Sequence, residues 1–413
     1  RVSNDALYDL FRNAPANFSL NAAGRHTSAV QASKLAEEVV TSAYVRGDVH
    51  LRQGRLKLVG GLRVEQTNAQ GQGQLVDLTR NFRRDAGGRF LLGANGRPQP
   101  IATVPLEIAR LTSVDRGLRA EKEYLRWFPS LNASYNLREN LIARAGYYWS
   151  LGRPDFSQYA GALTLPDTSL PPAPNNQIAV NNSGIKAWSA RTTKVTLEYY
   201  FEGVGLISLG AFHREITDFF ANTVTVAAPE FLAGYGLDPA VYGPFDVSTQ
   251  TNLKSSVRMT GLDFNYKQAL TFLPAWARGV QVFANASTLR AVGDAAANFA
   301  GFVPRTLNGG VSFTRGQYNV RARWNHLGRN RRAQVVGRGL EAGTYNWGQA
   351  RTLFDLSGEY QLRRNLALFA NLSNLTDAPL DVEIHGPTTP AHAQFRQRQT
   401  FGSMWTFGVR GSF

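Results

Sequence analysis

Apolar and polar residues alternate with a period of two along most of the chain, in runs of about ten residues. Ala43, Val45, Gly47, Val49 and Leu51 interleave with Tyr44, Arg46, Asp48, His50 and Arg52. After Gln53 and Gly54 the pattern resumes, with Leu56, Leu58, Gly60, Leu62 and Val64 set against Lys57, Val59, Gly61, Arg63 and Glu65. The same alternation predicts strands at 124–136, 141–151, 192–202, 204–219, 258–270, 279–290, 302–314, 317–327, 351–362, 366–376 and 400–413. That gives about thirteen strands and an all-β fold. Segment 204–219 leaves its phase open, because the adjacent Ala211 and Phe212 both read as outward-facing. No helical stretch stands out; Ser33 to Val40 would make one or two turns.

The spacing between strands carries more information than the strands do. Short connections fall near Gln53-Gly54, Leu137 to Asn140, Glu202-Gly203, Thr271 to Arg278, Arg315-Gly316 and Arg363 to Asn365. Long ones fall at about 67–122, 152–190, 220–257, 291–301, 328–349 and 377–399, and the two kinds alternate without exception. A chain that puts every tight turn at one end and every long loop at the other is an up-and-down meander; a sandwich with Greek-key crossovers mixes lengths at both ends. Outer-membrane barrels have this asymmetry, and structureless loops of such length are foreign to compact soluble domains.

The faces of the strands agree. Tyr318, Val320, Ala322 and Trp324 point one way, and Asn319, Arg321, Arg323 and Asn325 the other. Lipid cannot satisfy a charged side chain, so the charged face must line a lumen. Aromatic residues near strand ends, such as Tyr147, Trp149, Tyr199 and Phe201, fit girdles at the lipid–water boundaries. No apolar run of the 413-residue chain is long enough for a transmembrane helix. Cysteine is absent, which excludes disulfides, thiolate metal sites and cysteine nucleophiles. The chain begins at Arg1 with no signal-peptide pattern and reads as the later part of a longer protein.

Counting back from the terminus, Phe413, Gly411, Val409, Phe407 and Trp405 share one face. This resembles the C-terminal assembly signal of bacterial outer-membrane proteins. Several stretches resemble the barrel of TonB-dependent receptors: Ala43 to Asp48 leading to Leu58 to Glu65, Phe128 to Asn132, Leu141 to Tyr148 running into Arg153-Pro154-Asp155-Phe156, Leu197 to Phe201, Phe212 to Phe220, Asn371 to Thr376, and the terminal strand. The resemblance implies a 22-stranded transmembrane barrel, of which residues 39–413 would be the C-terminal portion and 1–38 an extracellular loop tail or irregular lead-in. It further implies a plug domain and a TonB box upstream, import of a ferric siderophore, cobalamin or saccharide driven by the TonB complex, and a multi-pass place in the outer membrane. Partners would be outer-membrane lipid and lipopolysaccharide, the barrel assembly machinery and a small-molecule ligand.

Candidate chemistry is sparse. His26, His50, His213, His326, His385 and His392 form no zinc-helix spacing, and no nucleophile elbow or phosphate loop is present. An enzyme and a cofactor are not expected. Arg46-Gly47-Asp48 matches an adhesion tripeptide but sits mid-strand. Residues 301–413 hold fourteen Arg, no Lys and six acids, so +8 of the chain's +15 lies in this stretch. Arg329, Arg331, Arg332 and Arg338 face Glu341 alone in one loop, and Arg321, Arg323 and Arg410 should line the lumen. Arginine binds carboxylate and phosphate bidentately and stays charged when half-buried. Arg321, Arg323, Arg329, Arg331 and Arg332 are therefore the candidate contacts for an anionic ligand, with lipopolysaccharide phosphates or plug acids as the other uses of the same charges. Scattered charge of this kind does not suit nucleic acid. Two rival readings remain: a passive porin or structural barrel without a plug, and a barrel enzyme with a spatially assembled Ser/His/Asp set.

Overall fold

A computed structural model describes residues 3–411 apart from 95, 162, 169, 174–175, 202–203, 294–299, 336–339 and 342. Phe413 and Arg338 lie outside the described residues. Thirteen antiparallel strands form one sheet in sequential order. They are β1 (Leu35–Leu51), β2 (Leu56–Val76), β3 (Ser113–Arg138), β4 (Leu141–Gly152), β5 (Trp188–Tyr200), β6 (Gly205–Thr217) and β7 (Val257–Ala269). The wall continues with β8 (Val280–Val292), β9 (Arg305–Arg315), β10 (Tyr318–Leu327), β11 (Arg351–Arg363), β12 (Leu366–Ser373) and β13 (Met404–Gly411). Tight turns alternate with long connections throughout, so all tight turns share one rim. This is the wall of an up-and-down antiparallel barrel, open at β1 and β13.

Cross-strand rungs show what decides the register. Val49, Leu58, Ala133, Ala145, Val195, Ala211 and Leu262 are successive partners across seven strands, and all are apolar. On the other face run Lys57, Ser134, Arg144, Thr196, Gly210, Asp263, Ser287 and Thr306. A slip of one residue would put Arg144 and Asp263 among the leucines. The open phase of 204–219 is resolved by the same logic. Ala211 lies on the apolar rung and Phe212 on the polar face, where its ring covers Gly261; a Cβ there would come within 2.6 Å of the ring. Lipid-exposed side chains remain bare: Trp405, Phe407 and Val409 of β13 are 59%, 64% and 62% exposed and share the apolar face.

The buried core lies instead at the long-loop rim. The loops are not structureless, as the sequence reading had them; they pair with one another. Leu163–Thr164, Ile178–Val180, Asp246–Asn252 and Phe220–Val226 form one four-stranded sheet from two different loops. Asn330–Gln334, Tyr345–Gly348, Leu380–His385 and Phe395–Gln399 form a second. Ile178, Leu232, Leu237, Phe245 and Val247 pack together beneath the first. Each loop strand is too short to show alternation by itself, so its partner is visible only in three dimensions. The first long loop is also shorter than the predicted 67–122, because β2 and β3 extend to Val76 and from Ser113.

The lead-in departs from the sequence reading too. Asn4–Asn13 and Ala22–Ala32 are helices α1 and α2, whereas Ser33–Val40 is mainly the start of β1, with Leu35 already paired to Gln72. The helix signals are local caps: Ser3 accepts from the Ala6 amide at 3.3 Å and Asn21 from the Gly24 amide at 2.8 Å. Among the described residues no helix is long and apolar enough to cross a membrane.

The two faces should respond oppositely to charge. Leu131 is 52% exposed on the apolar face, and Asn132 is its neighbour on the polar face. Leu131→Arg should cost the folded barrel about 2–4 kcal/mol if it lies near the bilayer midplane, and Asn132→Arg much less. Urea titration of the heat-modifiable band of the two variants checks this; equal losses would mean the faces are assigned wrongly.

Candidate functional site

Several charges of the polar face are held in pairs. Arg144 of β4 donates from Nε to both oxygens of Glu198 at 3.0 Å and reaches Ser134 at 3.2 Å. Lys194 sits 3.3 Å from Asp263, and Arg410 sits 3.1 Å from Glu359. The first joins neighbouring strands and the other two each reach over an intervening strand, so they fix the lumen side of the ladder as well as its charge.

From β7 to β10 the pattern breaks. Arg321 and Arg323 stand on the polar face of β10, and Lys267 on that of β7; among the described residues none makes an ion pair. Together with Asn265, Asn285 and Ser312 they line a recess of about 550 Å³. Asp355 is the register partner of Arg323, but its Oδ1 accepts from the Asn374 amide at 3.0 Å. The sequence reading placed Arg321 and Arg323 on the lumen face, and the ladder puts them there.

The three loop arginines prove to be braced, whereas the alternation had read their loop as structureless. Arg329 stacks 4.6 Å from the Trp347 ring centroid and lies 3.7 Å from Glu383. Arg331 lies 4.4 Å over Tyr345, and Arg332 packs over Gly348. All belong to the second loop sheet or flank it, far along the chain from the β12–β13 loop that supplies Glu383 and His385. His385 and Glu383 meet at 2.7 Å. The outer strand of the sheet is clamped by Arg398, whose fork donates to both Asp381 oxygens at 2.8 and 2.7 Å. That hydrogen bond holds the Asp381 carboxyl below its ordinary 3.8. Its folded value is depressed, so the pair stabilises the sheet above about pH 4 and loses that effect on acidification through the lower folded value. Arg321 and Arg323 belong to the wall, so the five candidate arginines fall into two groups, one within the lumen and one above it.

One constellation escaped sequence reasoning. Arg153, just past β4, turns inward; Nε lies 3.3 Å from Glu38 and Nη2 lies 3.0 Å from Glu65, with Thr67 at 3.4 Å. It thereby ties β1, β2 and the β4–β5 loop together. Asp155 then caps the short helix α3 (Phe156–Ala160), accepting from the Ser157 amide at 2.8 Å, a bond that lowers its pKa below the ordinary carboxylate value. Helix α3 lies flat on β2 where Gly71 and Gly73 leave room; a Cβ on Gly73 would overlap the Ala160 carbonyl. Tyr159 is 2% exposed, and burial pushes its phenol up to about 12. The signal was the Arg-Pro-Asp-Phe run at 153–156, but its partners at 38 and 65 could not be paired from sequence. Arg46-Gly47-Asp48 lies within β1, its two charges 3.1 Å apart. Among the described residues no group of three His, Asp or Glu could hold a metal.

The profile of the TonB-dependent receptor-like β-barrel matches residues 2–375. The chain belongs to that family. It is one of transport receptors in the bacterial outer membrane, and the polar face is therefore the lumen wall of a TonB-dependent receptor barrel. Solved structures with the same fold include the copper transporter OprC, at 15% identity and a TM-score of 0.57. The alignment covers 92% of this chain and 49% of OprC. The ferric-catecholate import receptor Fiu of Escherichia coli K12 shares 12% identity at a TM-score of 0.53, over 91% and 45%. The ferric enterobactin receptor PfeA of Pseudomonas aeruginosa shares 15% at 0.52, over 92% and 55%. The chain thus spans about half the length of these receptors. No curated protein matches its sequence.

Arg153→Met removes the cation between Glu38 and Glu65 and should loosen α3 by about 1–3 kcal/mol, the usual cost of losing hydrogen bonds to charged groups. Limited proteolysis should then cut the 153–187 loop faster while the wall stays heat-modifiable. An unchanged cleavage rate would mean that burial of Tyr159 alone holds the helix.

Proposed function

We propose that this chain is the C-terminal barrel wall of a ligand-gated active transporter of the bacterial outer membrane, and that its ligand is an anionic chelate such as a ferric siderophore. The observation that carries the reading is the recess around Arg321, Arg323 and Lys267. It is a stretch of lumen wall where three cations without a carboxylate partner gather around one recess, in a face where Arg144, Lys194 and Arg410 are each matched by a carboxylate. An unpaired charge facing a water-filled lumen attracts a mobile counter-charge, and arginine offers a carboxylate or catecholate two parallel donors. Above it, Arg329 and Arg331 stacked on Trp347 and Tyr345 present fixed cations at the rim. Such groups raise the local concentration of an anion within the screening length of about 8 Å and speed its capture.

In this reading the remaining strands, a plug and a TonB-contacting segment belong to the rest of the full-length protein, and the TonB complex supplies the energy. The open edges of β1 and β13 support the first of these, because an unpaired ladder edge is untenable in lipid. The names of the structural neighbours include ferric-catecholate and ferric enterobactin receptors, in line with an anionic chelate.

The test is uptake of radiolabelled iron chelates by cells expressing the full-length protein, with and without functional TonB. Uptake should require TonB; passage that persists without it would identify a passive pore. Replacing Arg321 and Arg323 together with Gln should cut uptake about tenfold while binding at the cell surface persists. Replacing Arg329, Arg331 and Arg332 with Gln should slow capture at low salt, with little change in dissociation. Wild-type capture by that triple variant at low ionic strength would remove the loop arginines from the mechanism.

A further inference from the structure

Apart from the lumen recess, a cavity of different character lies at the long-loop rim. Helix α2 flanks it on one side, the helix Pro105–Thr112 on another and the loop strand Leu163–Thr164 on a third, over the upper ends of β2 and β3. Its volume is about 450 Å³, within the range of about 300–1,000 Å³ that small-molecule sites occupy. Val76, Leu78, Ile108, Ala109, Leu163 and Leu165 supply the apolar lining. Val76 and Leu163 belong to the buried rim core, and Leu78 and Leu165 pack against it, so these walls are held in place by the core. No described residue of the lining is an acid, a lysine, an arginine or a histidine.

Two polar side chains inside it are left over. Gln74 and Ser113 both line the cavity and are each 6% exposed. Among the described residues neither side chain has a hydrogen-bond partner, and their polar atoms open on the cavity instead of being sealed off. The neighbouring hydroxyls differ. Thr112 donates to the Ile108 carbonyl at 2.8 Å, and Thr27 to the Ala23 carbonyl at 3.0 Å. A buried amide without a partner is costly, and native interiors rarely leave one so. The ladder sets Ser113 opposite Val76, two residues on from Gln74. Diagonal neighbours of this kind lie about 7–8 Å apart, a gap that one small polar group between the two side chains fills. Gln74 offers it donors and an acceptor together, and Ser113 offers either.

We propose that this cavity binds a small uncharged molecule with an alkyl or aryl body and a carboxamide head. The head pairs with the Gln74 amide through two antiparallel hydrogen bonds and meets the Ser113 hydroxyl, while the body packs on Val76, Ile108 and Leu163. Burial of the body supplies the affinity and the two polar groups supply the selection. A carboxylate would lose its hydration here with no cation to meet it. The anionic ligand argued for the lumen recess is therefore not the occupant. Nor is a lipid. Beyond Val64 the outward face of β2 turns polar, and Gln66 to Val76 is roughly 30 Å of further strand, so the cavity stands well clear of the apolar band. When filled, it joins α2 to the first long loop. The inference rests on the geometry of the rim and not on the transport reading.

The experiment uses the full-length protein in nanodiscs, with phenylbutyramide as the probe and empty nanodiscs as the blank. A saturation-transfer NMR titration reads the dissociation constant, which for a molecule of this size should be on the order of 1 mM or below. Phenylbutyrate, the same body with a carboxylate head, should bind at least tenfold more weakly. Gln74→Leu should weaken the amide about tenfold and leave the carboxylate unchanged, because the discrimination lies in the amide pair. Thr164 is exposed at the mouth, so Thr164→Trp should obstruct entry and weaken binding at least tenfold without touching the buried lining. Heat-modifiability confirms that each variant is folded, and the Thr164 variant serves if the Gln74 variant is not. Equal saturation transfer in protein and empty nanodiscs overturns the proposal. So does a carboxylate that binds as well as the amide, or wild-type affinity in the folded variants. Binding is read without uptake, so loss of TonB-dependent uptake with amide binding intact would count against the transport reading alone.

Discussion

Hydrocarbon offers a peptide group no hydrogen bond, and the rest of this structure follows from that constraint. Each unpaired amide or carbonyl inside the bilayer costs several kcal/mol, so a wall of strands must satisfy them all through its ladder. Antiparallel neighbours joined by tight turns do this with the least chain, and the thirteen strands run in sequence order. The ladder in turn fixes which side chains meet lipid, because the period of the strand is two. Val195 and Leu262 face outward for the same reason that Lys194 and Asp263 face each other across the lumen side. The lumen pairs do little for stability at their exposure. Their contribution is to oppose a slip of register, which would carry both charges into lipid.

That constraint also explains how much could be read without coordinates. Period-two alternation located every wall strand to within a few residues at most boundaries, because one face of each strand meets a solvent that tolerates no charge. The ends of β2 and β3 were misjudged since, beyond Val64 and Leu125, both faces turn polar: Gln66, Asn68 and Gln70 stand outside the lipid zone, and the alternation ceases although the ladder runs on to Val76. The loop sheets were invisible for a related reason. Their strands are as short as Leu163–Thr164, and their partners come from other loops. Among the site residues, the faces of Arg321 and Arg323 followed from alternation alone, whereas the stacking of Arg329 on Trp347 and the bridge from Arg153 to Glu38 depend on long-range closure. The helices at Asn4–Asn13 and Ala22–Ala32 were signalled by Ser3 and Asn21, polar caps that an argument built on alternation passes over.

The molecule has two kinds of interior. Within the membrane zone the wall is one sheet thick, and its apolar residues stay bare until lipid covers them. At the long-loop rim Ile178, Leu232, Phe245 and Val247 are buried as in a soluble domain. Water reaches the loops, so the hydrophobic effect operates there and can order chain that the bilayer does not touch. An ordered rim lets loop arginines hold fixed positions instead of sampling many. Arg331 over Tyr345 loses less freedom on meeting an anion than an unbraced side chain would, so more of the contact energy appears as affinity.

Charge on this chain therefore has three separate environments, and the same residue type does different work in each. Facing water between strands, Arg144 is matched to Glu198 and is electrically silent. Facing the lumen without a match, Arg321 and Arg323 leave a field that a ligand or a neighbouring domain can answer. On the outward face near the long loops, Arg258, Arg290 and Arg305 are exposed, and a cation there is cheap where its long stem covers apolar surface while the guanidinium stays in polar surroundings. Lysine would serve the first role nearly as well, and Lys194 does so with Asp263. The other two favour arginine, whose planar fork engages an oxyanion through two donors and is less strongly hydrated. The stretch 301–413 carries fourteen arginines and no lysine. Under the proposed reading, that composition suits a segment whose wall and rim cations meet an oxyanion.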